Sequence, residues 1–278
     1  MVFLFIMHGK LTPGVIESYN RFYSYNRFYS KIDIISRIMF EKRTYRNAVR
    51  TDDLVQFEVI VKETDLLICA EKDLSREAKE SVLKYRNQLE TYIATNPDFE
   101  RSLIPVQGIS HAPKIIREMI RTSGLAGVGP MAAVAGAIAQ SVSKDLLHFS
   151  NEVIVENGGD IYLATSKERI IGIYAGPSPL SMKVGIVIEP GETPLGICTS
   201  SGTVGHSLSF GKADAVCVLS KSAALADAAA TAVGNIVREK NDIERGLERG
   251  KEIEGVSGVL IIVGKKMGAW GDIHLTRL

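Results

Sequence analysis

The chain has 278 residues, 45% of them hydrophobic and 23% charged, an ordinary globular balance with room for one large domain or two small ones. Its net charge of +1 suggests neither the basic footprint of a nucleic-acid binder nor a polybasic membrane surface. Three cysteines (Cys69, Cys198, Cys217) without metal-type spacing fit a reducing cytosol better than a secreted disulfide scaffold. No apolar run approaches the ~18 residues that span a bilayer, and the opening MVFLFIM lacks the basic start and cleavage site of a signal peptide. A soluble, cytoplasmic protein is expected.

Residues 1–38 differ from the rest and contain a perfect tandem repeat, YNRFYS at Tyr19–Ser24 and again at Tyr25–Ser30. One repeated hexamer cannot build a solenoid. It reads as an extension or a gene-start artefact, non-native or disordered, ahead of a single domain over 39–278; a tyrosine- and arginine-rich arm that stacks on bases is the alternative. From Gln56 to Ala70 two strands, FEVIVK and LLICA, flank a Glu63-Thr64-Asp65 turn. A helix over about Ser75 to Ala94 follows, with Val82, Leu83, Leu89, Tyr92 and Ile93 at helical spacing, and Asn96-Pro97 ends it. Tyr85 and Arg86 on this helix read as structural. Pro97 to His111 reads as loop, and Pro113 starts the next helix.

Gly124, Gly127 and Gly129 precede Pro130 and a helix of very small residues running to about Leu147. A glycine-rich loop entering a helix N-terminus offers N–H groups to an anion. Small residues that let the helix pack closely on a sheet explain the same pattern. The next block is strand-rich: EVIVE, the turn Asn157-Gly158-Gly159-Asp160, then IYLA, RIIGIYA and VGIVIE. Asn-Gly and Gly-Asp pairs are hairpin chemistry, since both residue types tolerate positive φ. The turn also lets a ligand approach the backbone while Asn157 or Asp160 orients it.

The stretch Gly196–Asn235 begins as a strand and breaks into a hydroxyl-rich loop, Thr199, Ser200, Ser201, Gly202, Thr203, followed by His206. A second strand, Asp214 to Leu219, leads to an alanine-rich helix carrying Asp227 and Thr231. Four residues apart, those two lie one turn apart on one helix face. A carboxylate and a hydroxyl there, near small hydroxyls and free N–H groups, suit a divalent cation and a phosphate-bearing ligand. From spacing alone, a solvated Asp227, a filler Thr231 and an ordinary turn account for the pattern as well. Further on, Asn241 with Glu244 reads as the capping box of a short helix, and Val259–Val263 with Gly271–Leu275 as a terminal hairpin. Trp270 and His274 read as packing and edge residues. Hairpin-like strands with interspersed helices argue for α+β with mainly antiparallel sheets and packed helices.

These motifs together resemble the ApbE-like flavin transferases. VIVENGGDIYL is similar to their NxGGD strand–turn, GICTSSG with His206 to their T-S-G loop and histidine, and ALADAAATAVGN to their A-D-A-L-A-T-A helix. The resemblance covers roughly Gly124 to Asn235. The wording TSSGTVGHS and GVGPMAAVAGAIA looks most like a cytosolic branch of archaea and anaerobic bacteria. It implies an ApbE-like α+β fold that binds FAD or a related dinucleotide with Mg²⁺, cleaves the pyrophosphate and attaches FMN to a protein threonine. Metal ligands would be Asp227 and Thr231; Asn157, Gly158, Gly159, Asp160, Thr199, Ser200, Ser201 and Gly202 would line the cofactor site.

Three departures stand out. The family's Lys-Gly is Ala135-Gly136, its Asp-Tyr after T-S-G is Thr203-Val204, and its H-x-x-D-P run is His206 to Phe210 without the aspartate. The branch is also associated with sulfide assimilation into cysteine and homocysteine, which the resemblance implies as the principal role here. Cys198 would then be a sulfur carrier, its thiol acidified beside N–H donors; a small buried strand residue is the other reading. Catalytic roles fall on Cys198 and His206. The partners implied are a small-molecule ligand and a sulfur-transfer enzyme, with a homo-oligomer left open and neither nucleic acid nor membrane involved.

Overall fold

The computed structural model describes residues 3–7, 46, 51, 53–108, 111–202 and 211–278. The YNRFYS repeat and His206 lie outside the described residues. Among the described residues twelve strands form two sheets, every pairing antiparallel. The larger has eight strands in the order β11-β10-β9-β8-β5-β4-β3-β2. These are β2 (Val55–Val61), β3 (Thr64–Ala70), β4 (Val153–Asn157), β5 (Asp160–Ala164), β8 (Leu195–Ser200), β9 (Ala215–Ser220), β10 (Val256–Val263) and β11 (Lys266–Gly271). The smaller has β1 (Phe3–Met7), β6 (Arg169–Tyr174), β7 (Val184–Ile188) and β12 (His274–Arg277) in the order β1-β6-β7-β12.

Side chains alternate across a strand, so the large sheet feeds two cores. Leu66, Ile68, Val153, Val155, Tyr162, Cys198, Val216, Val218, Val259 and Ile261 face the helices. Leu67, Cys69, Ile154, Ile161, Leu163, Ile197, Cys217, Leu219, Leu260 and Ile262 face the small sheet, where Ile171, Ile173, Ile186 and Ile188 meet them. Burial on both faces explains why LLICA and AVCVL are apolar throughout rather than alternating with polar residues. The helices are α1 (Ser75–Thr95), α2 (Pro97–Arg101), α3 (Lys114–Ala126), α4 (Val134–Leu146), α5 (Ala223–Ile236) and α6 (Ile243–Glu252). The result is a single α+β domain layered helices, sheet, sheet.

Several local readings need correction. Pro97 to His111 is not all loop, because Pro97, at the first helical position, opens α2. The first hairpin turns at Lys62-Glu63, since Val61 pairs with Thr64. Asn241 and Glu244 form no capping box; Glu239 and Asp242 do so for a 3₁₀ turn that precedes α6. The end of the chain is a hairpin only as far as β11, and β12 crosses to pair with β7. No single helix among the described residues is long and apolar enough to cross a membrane; α3 and the segment Pro130–Leu146 together have the length and composition but bend by 103°.

Candidate functional site

A cavity of about 700 Å³ opens between α1, the N-terminus of α4, α5 and the ends of β4, β5 and β8. Asn157, Gly158, Asp160, Thr199, Ser200, Ser201, Asp227 and Thr231 line it. Residues separated by some seventy positions in the chain therefore do meet. Gly159 and Gly202 are not among the lining residues, and Cys198 lies beneath the cavity in the helix-side core.

The turn comes first. Asn157 pairs with Asp160 across β4 and β5, leaving Gly158 and Gly159 as a two-residue turn with φ of 65° and 100°. Positive φ at both positions is the hairpin turn that matches strand twist and costs glycine least. The turn is locked from both sides: Asn157 Nδ2 donates to Ala135 O at 3.1 Å, and Gly159 N donates to Glu156 Oε1 at 2.8 Å. Asp160 then stands at the start of β5, where its Oδ1 accepts the Thr199 N–H at 3.2 Å.

Helix α5 brings the second carboxylate. Its backbone runs so close to α4 that a Cβ at Gly136 would lie 2.3 Å from Ala223 O and 2.9 Å from Asp227 Cβ. That closeness lets Asp227 Oδ2 accept the Gly136 N–H at 2.9 Å. One N–H group at this helix N-terminus is thus taken by a carboxylate of the protein, and the small residues here serve close packing against α5. Gly124 lies within α3, not in a phosphate-cradling loop.

The electrostatics set this pair apart. Two other buried carboxylates have cations: Glu152 lies 2.8 Å from Arg169, and Glu156 lies 2.7 Å from Arg46. Asp160 is buried and Asp227 half-buried, and among the described residues neither forms an ion pair. Burial, and then the charge of Asp227, push the Asp160 carboxyl well above the usual carboxylate range. Burial likewise pushes Asp227 up to about 7, against the N–H groups of Gly136 and Ala135, which favour its charged form. Two carboxylates without a cation, beside the Thr231 hydroxyl, fit a hard divalent cation that keeps further sites for ligand oxygens. No three His, Cys, Asp or Glu side chains gather as a metal site among the described residues, so Mg²⁺ would need hydroxyl, backbone or phosphate oxygens as well.

Cys198 is not placed for sulfur transfer. It is 0% exposed and its Sγ donates to Ala223 O at 3.2 Å. Burial first, then the nearby Asp160 and Asp227, raise its thiol well above the usual range, the opposite of an activated thiolate. The expectation of a low-pKa carrier is withdrawn. Sequence reasoning also missed residues that line the cavity. Leu89 and Ile93 of α1, with Met131, Val134 and Ile138, make an apolar wall, and Lys62, Glu63, Arg86, Glu90 and Glu100 carry charge around it. Arg86 had a signal only in being a cation on an otherwise amphipathic helix.

A layered α+β fold with a polar turn, a hydroxyl-bearing strand end and a carboxylate helix around one cavity defines an ApbE-like protein. The chain superposes on the flavin transferase ApbE from Vibrio cholerae with a TM-score of 0.54 at 16% identity, covering 78% of this chain and 96% of that one. It superposes on the Pseudomonas stutzeri flavinyl transferase ApbE with a TM-score of 0.52 at 15% identity, covering 78% and 94%. The chain belongs to the family described as AbpE bacteria, whose profile matches residues 46–269. It is also 45% identical over 221 residues to a UPF0280 protein of Methanocaldococcus jannaschii, covering 77% of this chain and 90% of that protein.

Proposed function

We propose that this protein binds a flavin dinucleotide together with Mg²⁺ in the cavity and acts on its pyrophosphate, as a flavin transferase or a related FAD-cleaving enzyme. The observation that carries the reading is the uncompensated pair Asp160 and Asp227, with Thr231, in a cavity whose other wall is apolar. A pocket of that size and mixed lining suits a large, partly planar ligand. In this reading Asp227 and Thr231 hold the cation. Once bound, the cation would neutralise charge on the phosphate oxygens as the pyrophosphate bond breaks.

The protein's own residues have separate tasks. Asn157, tied to Ala135, fixes the Gly158 turn against α4, and Gly158 lets the ligand approach the backbone. Asp160 holds the end of β8 through the Thr199 N–H and keeps Ser200 and Ser201 at the cavity wall. Asp227, anchored by backbone N–H groups at the N-terminus of α4, lines the cavity, where its carboxylate would hold the metal. His206 remains a proposed ligand-orienting or proton-transferring residue. Two features favour a changed activity within this reading: Ala135 supplies no cation, and Thr203-Val204 stand where the family has Asp-Tyr.

The reading is tested by incubating purified protein with FAD, with and without Mg²⁺, and separating the products by chromatography. FMN and AMP appearing only with Mg²⁺ is the expected result. FAD that stays intact with Mg²⁺ present, at high protein concentration and with a threonine-bearing acceptor protein supplied, would rule out pyrophosphate cleavage.

A further inference from the structure

Among the described residues three arginines have largely buried side chains, and one bonds differently from the other two. Arg169 is fully satisfied: Nε donates to Thr165, Nη1 to Asp53, and Nη2 to Asp53 and Glu152, all within 3.2 Å. Arg46 likewise donates from Nε to Glu156, from Nη1 to Glu58 and Asp65, and from Nη2 to the Asp65 carbonyl. Arg86, on the cavity wall, is different. Its Nη1 donates to Thr64 Oγ1 at 2.7 Å, but its Nε is buried with no acceptor.

The carboxylates that hold its Nη2, Glu63 at 2.6 Å and Glu90 at 2.8 Å, stand 84% and 43% exposed while Arg86 is 14% exposed. Glu90 is also shared with Lys62, at 2.6 Å. Exposed pairs of this kind are weak and easily exchanged, whereas an unmet buried N–H of a charged group is costly. A guanidinium left incomplete at a cavity, held by solvent-facing acids, is arranged to accept a better anion. Lys62 and Arg86 are the only cations among the cavity's described lining residues, and of the two only Arg86 is largely buried.

We propose that Arg86 is the anion-binding residue of this cavity, exchanging Glu63 and Glu90 for the phosphoryl oxygens of a pyrophosphate-bearing ligand. The planar fork of Nε and Nη takes two such oxygens side by side, which a lysine cannot do. The chemical class is an organic pyrophosphate. The assignment rests on the dinucleotide reading above only for the remainder of the ligand.

The test is calorimetric titration of the wild type, Arg86→Gln and Arg86→Lys with inorganic pyrophosphate, FAD and riboflavin, all with Mg²⁺. Arg86→Gln is expected to weaken pyrophosphate and FAD about tenfold or more, Arg86→Lys to lose less, and riboflavin, which carries no phosphate, to bind all three proteins alike. Pyrophosphate binding equally well to the wild type and Arg86→Gln, or not binding the wild type at all, would overturn the assignment. So would an equal loss of riboflavin, which would mark Arg86 as a strut of the wall. Should FAD bind the wild type no better than pyrophosphate while the Arg86 dependence persists, the dinucleotide reading fails and the role of Arg86 stands.

Discussion

At Asp227 a carboxylate in the cavity wall meets backbone N–H groups and, among the described residues, no ion-pair partner. With its carboxyl at about 7, a cation arriving below that pH must displace a proton. Apparent Mg²⁺ affinity should therefore fall by about tenfold per pH unit below neutrality. Titrations at about pH 5.5 and about pH 8 check this, and equal affinities would refute it. Asp160 makes a second, metal-free prediction. Its folded-state carboxyl is raised above the ordinary 3.8, so its contribution to stability is complete below that value and is lost as the pH rises. Asp160→Asn keeps an acceptor for the Thr199 N–H and removes the charge. The variant should gain stability relative to the wild type between about pH 5 and about pH 8, read from urea midpoints. A constant difference across that range would show that the buried charge is not the cause.

At the scale of elements, the site depends on how closely α4 and α5 pack. Gly136→Ala would force a Cβ to within 2.3 Å of the Ala223 carbonyl. Backbone cannot yield as a side-chain tip can, so a cost of about 2 kcal/mol or more is expected in urea unfolding, along with loss of the Asp227 to Gly136 bond. A variant as stable as the wild type would mean that the helices separate freely.

The strand–turn at Asn157–Asp160 and the Asp227/Thr231 face were legible in the sequence, because both depend on spacing within one element. The closeness of α4 and α5 was not legible, since a run of small residues permits packing without naming its partner. Cys198 shows the same limit: a hydroxyl-rich run begins directly after it, but strand alternation turns its side chain into the helix-side core. Arg86 was read as structural because nothing in a single helix announces that its face will close a cavity with strands and a helix some seventy to a hundred and forty residues away.

For the whole molecule, the two sheets are tied by charge as well as by apolar packing. Arg169 of β6, fully buried, reaches Asp53 and Glu152, the latter just before β4. Arg169 holds the Asp53 carboxyl well below the usual range and, with Ser166 and Thr165, lowers that of Glu152 despite its burial. Both depressed carboxyls contribute stability that is present above their unfolded values and lost as the pH falls through the folded ones. Arg169→Met leaves Glu152 without its cation and Asp53 with Lys167 alone, and should cost about 3–5 kcal/mol, measured by urea unfolding near neutral pH. A loss within about 0.5 kcal/mol would show that the sheets are held by apolar packing alone. The division into two sheets was itself hidden in the sequence, because strands buried on both faces read alike whichever sheet they join.

The proposed metal-dependent dinucleotide site centred on Asp227 is tested by titrating the wild type and Asp227→Ala with FAD, each in Mg²⁺ and in chelator. The wild type should bind FAD far more tightly with Mg²⁺, and Asp227→Ala should bind equally weakly in both conditions. Wild-type affinity indifferent to Mg²⁺, or an Asp227→Ala protein that keeps the full Mg²⁺ response, would contradict it.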